Sequence, residues 1–136
     1  MPPDPPSVLL RKARDDERLA LLAIREPLIT DEQIGFLAQQ AIEKALKAVL
    51  SRLGVSYRRT HDLSELLDFL AAARAPIPTE LERCVELTPF AAEMRYDYLP
   101  PEAAPGEGFD RAGAMRLVRT ALTWADQILA PRDAGP

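Results

Sequence analysis

One cysteine, one histidine and one tryptophan occur in 136 residues, and each scarcity removes a class of function. A single thiol, Cys84, excludes an intrachain disulfide framework and a multi-cysteine metal site, which fits a reducing compartment. It is expected as a small, partly buried apolar residue. A single imidazole, His61, offers no histidine pair, and the chain has no Gly-rich phosphate loop, so neither a metal nor a cofactor is expected. No run approaches the roughly 20 apolar residues of a membrane span. The start "MPPDPP" lacks the basic-then-apolar order of a signal peptide, so a cytoplasmic protein with no membrane partner is expected. Charge of one sign is also missing: 17 basic and 21 acidic residues leave a net −4, so any basic site must be local.

What is present is apolar residues at 47%, enough for the core of one domain, and 13 prolines that punctuate the chain. They crowd "MPPDPP", "LPPEAAP" and "PRDAGP", where missing amide donors and fixed φ oppose regular structure. The expected organisation is a disordered segment 1–6, one helical domain 7–130 and a disordered tail 131–136.

Helical periodicity fills the space between the prolines. Ser7 is expected to cap a first helix from about Val8 to Ile24, with Leu9, Ala13, Ala20 and Ile24 on one face and Asp16 in the middle of that stripe. Asp16 is either a solvated gap in the stripe or a buried acid needing a cation. A second helix runs from a Thr30 or Asp31 cap to Leu53, closed by Gly54. Its apolar positions from Ile34 to Leu53 sweep roughly 220°, wider than one core face requires, so this helix is expected to be central. Gln40, Glu43, Lys44 and Lys47 form its polar side together with an exposed Phe36, and Gln39 stands at the margin. Glu43 and Lys47 read as an exposed i,i+4 pair.

A third helix is expected from Asp62 to Ala73, where Asp62 and Glu65 resemble a capping box. A fourth starts near Pro78 or Thr79, turns Leu81, Cys84, Val85 and, as a fourth candidate, Leu87 inward, and bends or restarts near Pro89. The fifth runs from Asp110 to Leu129 on a stripe of Ala114, Val118, Ala121, Ala125 and Ile128, with Trp124 as an anchor. No strand pattern is present. The fold class is therefore all-α, an antiparallel up-and-down bundle of four to five helices.

Two stretches carry candidate chemistry. In "SYRRTHDLSELL", His61 is either a general base or a helix-start device, and Arg58 and Arg59 beside it form a phosphate-facing edge or a solvated turn. In "AAEMRYDYLPPE", Arg95, Tyr96 and Tyr98 combine an anion-binding fork with rings able to stack on a base. In the bland reading the tyrosines cover the bundle end and Arg95 pairs with Asp16 or Glu43.

In order and separation, "LLRKARDD", "FLAQQAIEKALKAVLSRLGV", "RTHDLSELL" and "FAAEMRYDY" resemble the HEPN family (higher eukaryotes and prokaryotes nucleotide-binding domain) from about Ser7 to Leu129. "AQQAIEKALKA" followed by "THDL" is the most specific part. The resemblance implies a helical bundle, frequently a homodimer, of the bacterial type often paired with a minimal nucleotidyltransferase in a toxin-antitoxin-like system. Many members are metal-independent ribonucleases whose motif is an arginine, four to six residues, then a histidine. Here Arg95 is followed by Tyr96, Asp97, Tyr98, Leu99, Pro100, Pro101 and Glu102, so the motif is absent.

The leading expectation is accordingly a non-catalytic module. Arg95, Tyr96, Arg58, Arg59, Lys44 and Lys47 would bind a nucleotide, and Phe36, Gln39 and Gln40 would meet a partner. The alternatives are a ribonuclease toxin using Arg95 and His61 on RNA, and a structural helical adaptor.

Overall fold

The computed structural model describes residues 5–90 and 109–130. Residues 1–4 of the expected disordered segment 1–6, the expected tail 131–136, the Pro-rich loop, and Arg95, Tyr96 and Tyr98 lie outside the described residues, while Pro6 of that segment begins the first helix. Among the described residues there are four α-helices, α1 (Pro6–Ala23), α2 (Asp31–Arg52), α3 (Leu63–Ala72) and α4 (Arg111–Leu129), with a 3-10 helix (Thr79–Phe90) between α3 and α4 and no strand. None of these helices is long and apolar enough to cross a membrane.

Helix starts follow the cap chemistry of the sequence with one exception. Ser7 does not cap α1: Pro5 occupies that position, and the prolines set the first turn through their fixed φ without a side-chain bond. At α2 the cap is Thr30. Its Oγ1 accepts from the Gln33 amide at 3.1 Å while its own amide donates to Gln33 Oε1 at 2.9 Å, a complete capping box. Asp62 caps α3 by accepting from the Ser64 amide at 2.9 Å. The expected return bond from Glu65 does not form, because the Asp62 amide donates to Thr60 Oγ1 and Glu65 turns outward to Arg58.

The core is built around α2. Ile34, Ala38, Ala41, Ile42, Ala45, Leu46, Ala48, Val49 and Leu50 are all fully buried, and α1, α3, α4 and the 3-10 helix each pack on this helix. Four alanines in that set let neighbouring backbones approach α2 from several sides. Leu53, expected at the end of the apolar arc, is instead 44% exposed because the helix ends there. Gly54 at φ 73° completes the reversal, with the Val55 amide donating to the Leu50 carbonyl at 2.9 Å.

Between α3 and α4 the backbone tightens. Of the four positions that an α-helical reading turns inward, Leu81, Cys84 and Leu87 are buried, whereas Val85 is 36% exposed. With 3.0 residues per turn, positions three apart stack in a column, and partly buried Phe90 continues it past Pro89 without a break. Burial pushes the Cys84 thiol up to about 12, so it is a neutral apolar filler at physiological pH. Trp124 anchors α4 as expected, 5% exposed, its Nε1 donating to the Pro76 carbonyl at 2.8 Å.

Two close fits generate predictions. Gly35 lies under the Phe90 ring, where an added Cβ would sit 2.5 Å from ring carbons. Phe90 is held in turn by Phe109, with ring centroids 5.1 Å apart. Gly35→Ala is expected to destabilise the fold by about 1–3 kcal/mol through overpacking, read by urea denaturation. Arg74 closes α3 at φ 60°, with its amide donating to Ala71 and that of Ala75 donating to Leu70. A side chain in this left-handed position is strained, so Arg74→Gly is expected to stabilise by about 0.5–1 kcal/mol in the same measurement.

Candidate functional site

Three residues on one ridge of α2, Gln39, Glu43 and Lys47, are spaced four apart and therefore stack along the helix. The turn between α2 and α3 descends on this ridge, and His61 reaches it. Glu43 is the hub. Its Oε1 accepts from Gln39 Nε2 at 2.8 Å and lies 2.8 Å from His61 Nδ1, while its Oε2 accepts from Lys47 Nζ at 2.9 Å. Gln39 Nε2 also donates to the His61 backbone carbonyl at 3.2 Å, and Gln40 Nε2 donates to Gln39 Oε1 at 2.7 Å.

Several side chains expected on the surface are therefore inside. Glu43 and Lys47 are not an exposed helix pair: their side chains are 5% and 14% exposed. Gln39 is fully buried, not marginal, and Phe36 and Gln40 are half-buried. Polar residues enter the interior here because each bond satisfies a neighbour, so little hydrogen-bonding capacity is left in the apolar surroundings.

His61 stands at the rim of this cluster with its side chain 37% exposed. Its turn is fixed on both sides. Thr60 Oγ1 accepts from the Asp62 amide at 3.0 Å, and Thr88 Oγ1, two residues before the end of the 3-10 helix, accepts from the Leu63 amide at 3.3 Å. The imidazole is thus a rigidly placed group at the junction of α2, α3 and the 3-10 helix.

The expected anion-binding cations are distributed around this junction, and most already face carboxylates. Lys44 Nζ donates to Asp16 at 2.5 Å, which settles Asp16 as a largely buried acid paired across α1 and α2. Lys47 is held by Glu43. Arg58 pairs with Glu65; hydrogen bonding and charge hold the Glu65 carboxyl below, and the Arg58 guanidinium above, their ordinary values. Arg59 is exposed beside them. No group of three metal-ligating side chains occurs among the described residues.

A second polar tie, not foreseen from the sequence, joins the start of α4 to that of α2. Arg111 Nε donates to Asp31 Oδ1 at 2.5 Å and its Nη2 to the Ile29 carbonyl at 2.7 Å. These partners are 80 residues apart, so no local pattern announces them. Asp31 Oδ2 is buried with no hydrogen-bond partner among the described residues. A groove of about 520 Å³ between the 3-10 helix and α4, lined by Arg83, Phe90, Phe109, Arg116 and Thr120 among others, contains none of the His61 cluster.

A helical bundle organised on one central helix, with a fixed His-Asp-Leu turn at its end, defines the class. The HEPN domain family model matches residues 7–129, and the chain belongs to that family. The chain also resembles the crystal structure of ST0689, an archaeal HEPN homologue, with a TM-score of 0.64 and 24% identity over 93% of this chain and 96% of that one. At that identity the likeness speaks for the fold. No curated protein sequence matches the chain significantly.

Removing the hub should expose how much of the fold it organises. Glu43→Ala leaves Lys47, Gln39 and His61 without their shared acceptor and is expected to cost about 3–5 kcal/mol. In parallel denaturation curves, Glu65→Gln, which breaks the partly exposed pair with Arg58, should cost much less than that.

Proposed function

We propose that this HEPN chain is a non-catalytic binding module whose ligand end is the His61 turn, taking a nucleotide and working as a homodimer beside a nucleotidyltransferase partner in a toxin-antitoxin-like system. The observation that carries this reading is the half-exposed imidazole, fixed by a buried carboxylate, in a turn that also carries the exposed Arg59. A ring held by that carboxylate loses little entropy on binding a ligand. Arg95 and Tyr96 would add a second anion contact and a stacking surface from the following segment. Self-association and partner binding are supported by Leu22 and Leu28, which are 61% and 92% exposed at the α1–α2 turn.

One observation favours a second reading. A histidine oriented by a buried glutamate also suits proton transfer, as a ribonuclease using His61 with Arg95 would require. Calorimetric titration with AMP and ATP, together with capture of a nucleotidyltransferase by the purified chain, tests the first reading. Saturable nucleotide binding that His61→Gln and Arg59→Ala each weaken at least tenfold is expected; silence in both assays overturns it. Cleavage of RNA by the wild type, lost in His61→Ala, would establish the second.

A further inference from the structure

Two neighbouring amides on α2, Gln39 and Gln40, have their orientation set by the carboxylate next to them. One end of the buried Gln39 amide lies 2.8 Å from Glu43 Oε1 and 3.2 Å from the His61 backbone carbonyl, and both of those oxygens accept. The other Glu43 oxygen is held at 2.9 Å by Lys47 Nζ, a group that only donates. That end of Gln39 is therefore Nε2, since the reversed amide would set an oxygen against two acceptors. Gln39 Oε1 then meets Gln40, whose atom at 2.7 Å must donate and is Nε2. The sense of the buried amide thus passes to its half-buried neighbour.

Gln40 is left with a defined polar edge. Among the described residues its Nε2 bonds to Gln39 alone and its Oε1 to nothing, so the carbonyl oxygen and the second N–H remain for a ligand. A glutamine free in solvent turns over and offers either group in either place. Gln40 cannot do so without setting an oxygen against Gln39 Oε1. Its edge also stands close to the His61 turn, because Gln39 touches both Gln40 and the His61 carbonyl.

An oxygen that only accepts finds no partner in an ionised phosphate and takes a donor instead. An amide that offers an oxygen and an N–H together is complementary to an amino group next to a ring nitrogen, the pairing by which glutamine reads adenine. A ribose hydroxyl would satisfy only one of the two groups.

We propose that Gln40 is the specificity-determining residue for the base of the nucleotide: Oε1 accepts from the exocyclic amino group of adenine, and the second N–H donates to the adjoining ring nitrogen. This rests on the nucleotide-binding reading above. Gln40, expected from the sequence on the partner surface, thereby belongs to the ligand end.

AMP and IMP separate the base from everything else, since they share ribose and phosphate. In IMP the amino donor is replaced by a carbonyl acceptor and the ring acceptor beside it by an N–H, so both groups that Gln40 would meet are inverted. In calorimetric titrations the wild type is expected to bind AMP at least about tenfold more tightly than IMP. Gln40→Met keeps the side-chain length without either polar group, and Gln40→Ala removes the side chain. Both should remain helical by circular dichroism and bind the two nucleotides with the same, weaker affinity that IMP shows for the wild type. Equal binding of AMP and IMP by the wild type overturns the assignment while the nucleotide-binding reading stands. So does a preference for AMP that survives in both folded variants, since the base is then read elsewhere. If the wild type binds neither nucleotide, the nucleotide-binding reading falls and the role of Gln40 falls with it.

Discussion

A carboxylate on the most deeply buried helix of a small bundle keeps its charge only if donors surround it, and Glu43 is surrounded. Burying an isolated carboxylate costs far more than a domain of this size can spare. Gln39, Lys47 and His61 remove that cost from three directions, the first two from four residues away on either side and the third from 18 residues away. Gln39 and Lys47 come from α2 itself and would be present in the isolated helix. His61 comes from the turn before α3, so its bond forms only when that turn docks. The carboxylate thereby ties placement of α3 to completion of the polar cluster, and a misplaced α3 would leave a buried acid short of one donor.

The same logic explains why α2 tolerates burial on so many sides. Its alanines, Ala38, Ala41, Ala45 and Ala48, give neighbouring helices a close approach, and its polar residues are confined to one ridge where they satisfy one another. Around it, α1 and α4 are joined by ion pairs at their edges: Arg119 to Glu17 at 3.2 Å and Arg14 to Asp126. These pairs are largely exposed on the arginine side and contribute little. They fix which faces meet rather than how strongly, while the apolar column beneath supplies the stability.

Much of this was legible in the sequence because the signals were local. Thr30 with Gln33, Asp62 with Ser64, and Gly54 after Leu53 each mark a helix end through chemistry confined to a few residues. The 3-10 helix was misread because a period of 3.0 and one of 3.6 differ little over two turns. The run Leu81, Cys84, Leu87, Phe90 at a constant spacing of three is the signal that distinguishes them. The Glu43 cluster was misread for another reason. An i,i+4 Glu–Lys pair looks the same whether it faces water or protein, and only the docking of a segment 18 residues away decides which. Gln39 offered a hint, since it continues the Glu43–Lys47 ridge by one more step of four into the border of the apolar arc. Arg111 with Asp31 offered none.

The distribution of charge then narrows what the proposed ligand end can recognise. Lys44, Lys47 and Arg58 are matched by Asp16, Glu43 and Glu65, so three of the expected cations are largely neutralised before any ligand arrives. A polyanion selected mainly by Coulombic attraction would find little net positive field here, and the whole chain carries −4. What the turn offers instead is direction: a fixed imidazole, an adjacent planar guanidinium at Arg59, and buried residues behind them that resist reorientation. Directional groups in a nearly neutral setting discriminate by hydrogen-bond geometry, which favours a compact ligand presenting both hydroxyl and phosphate groups over an extended phosphate backbone. Under the proposed reading, a mononucleotide therefore suits this end of the bundle better than a long RNA strand does.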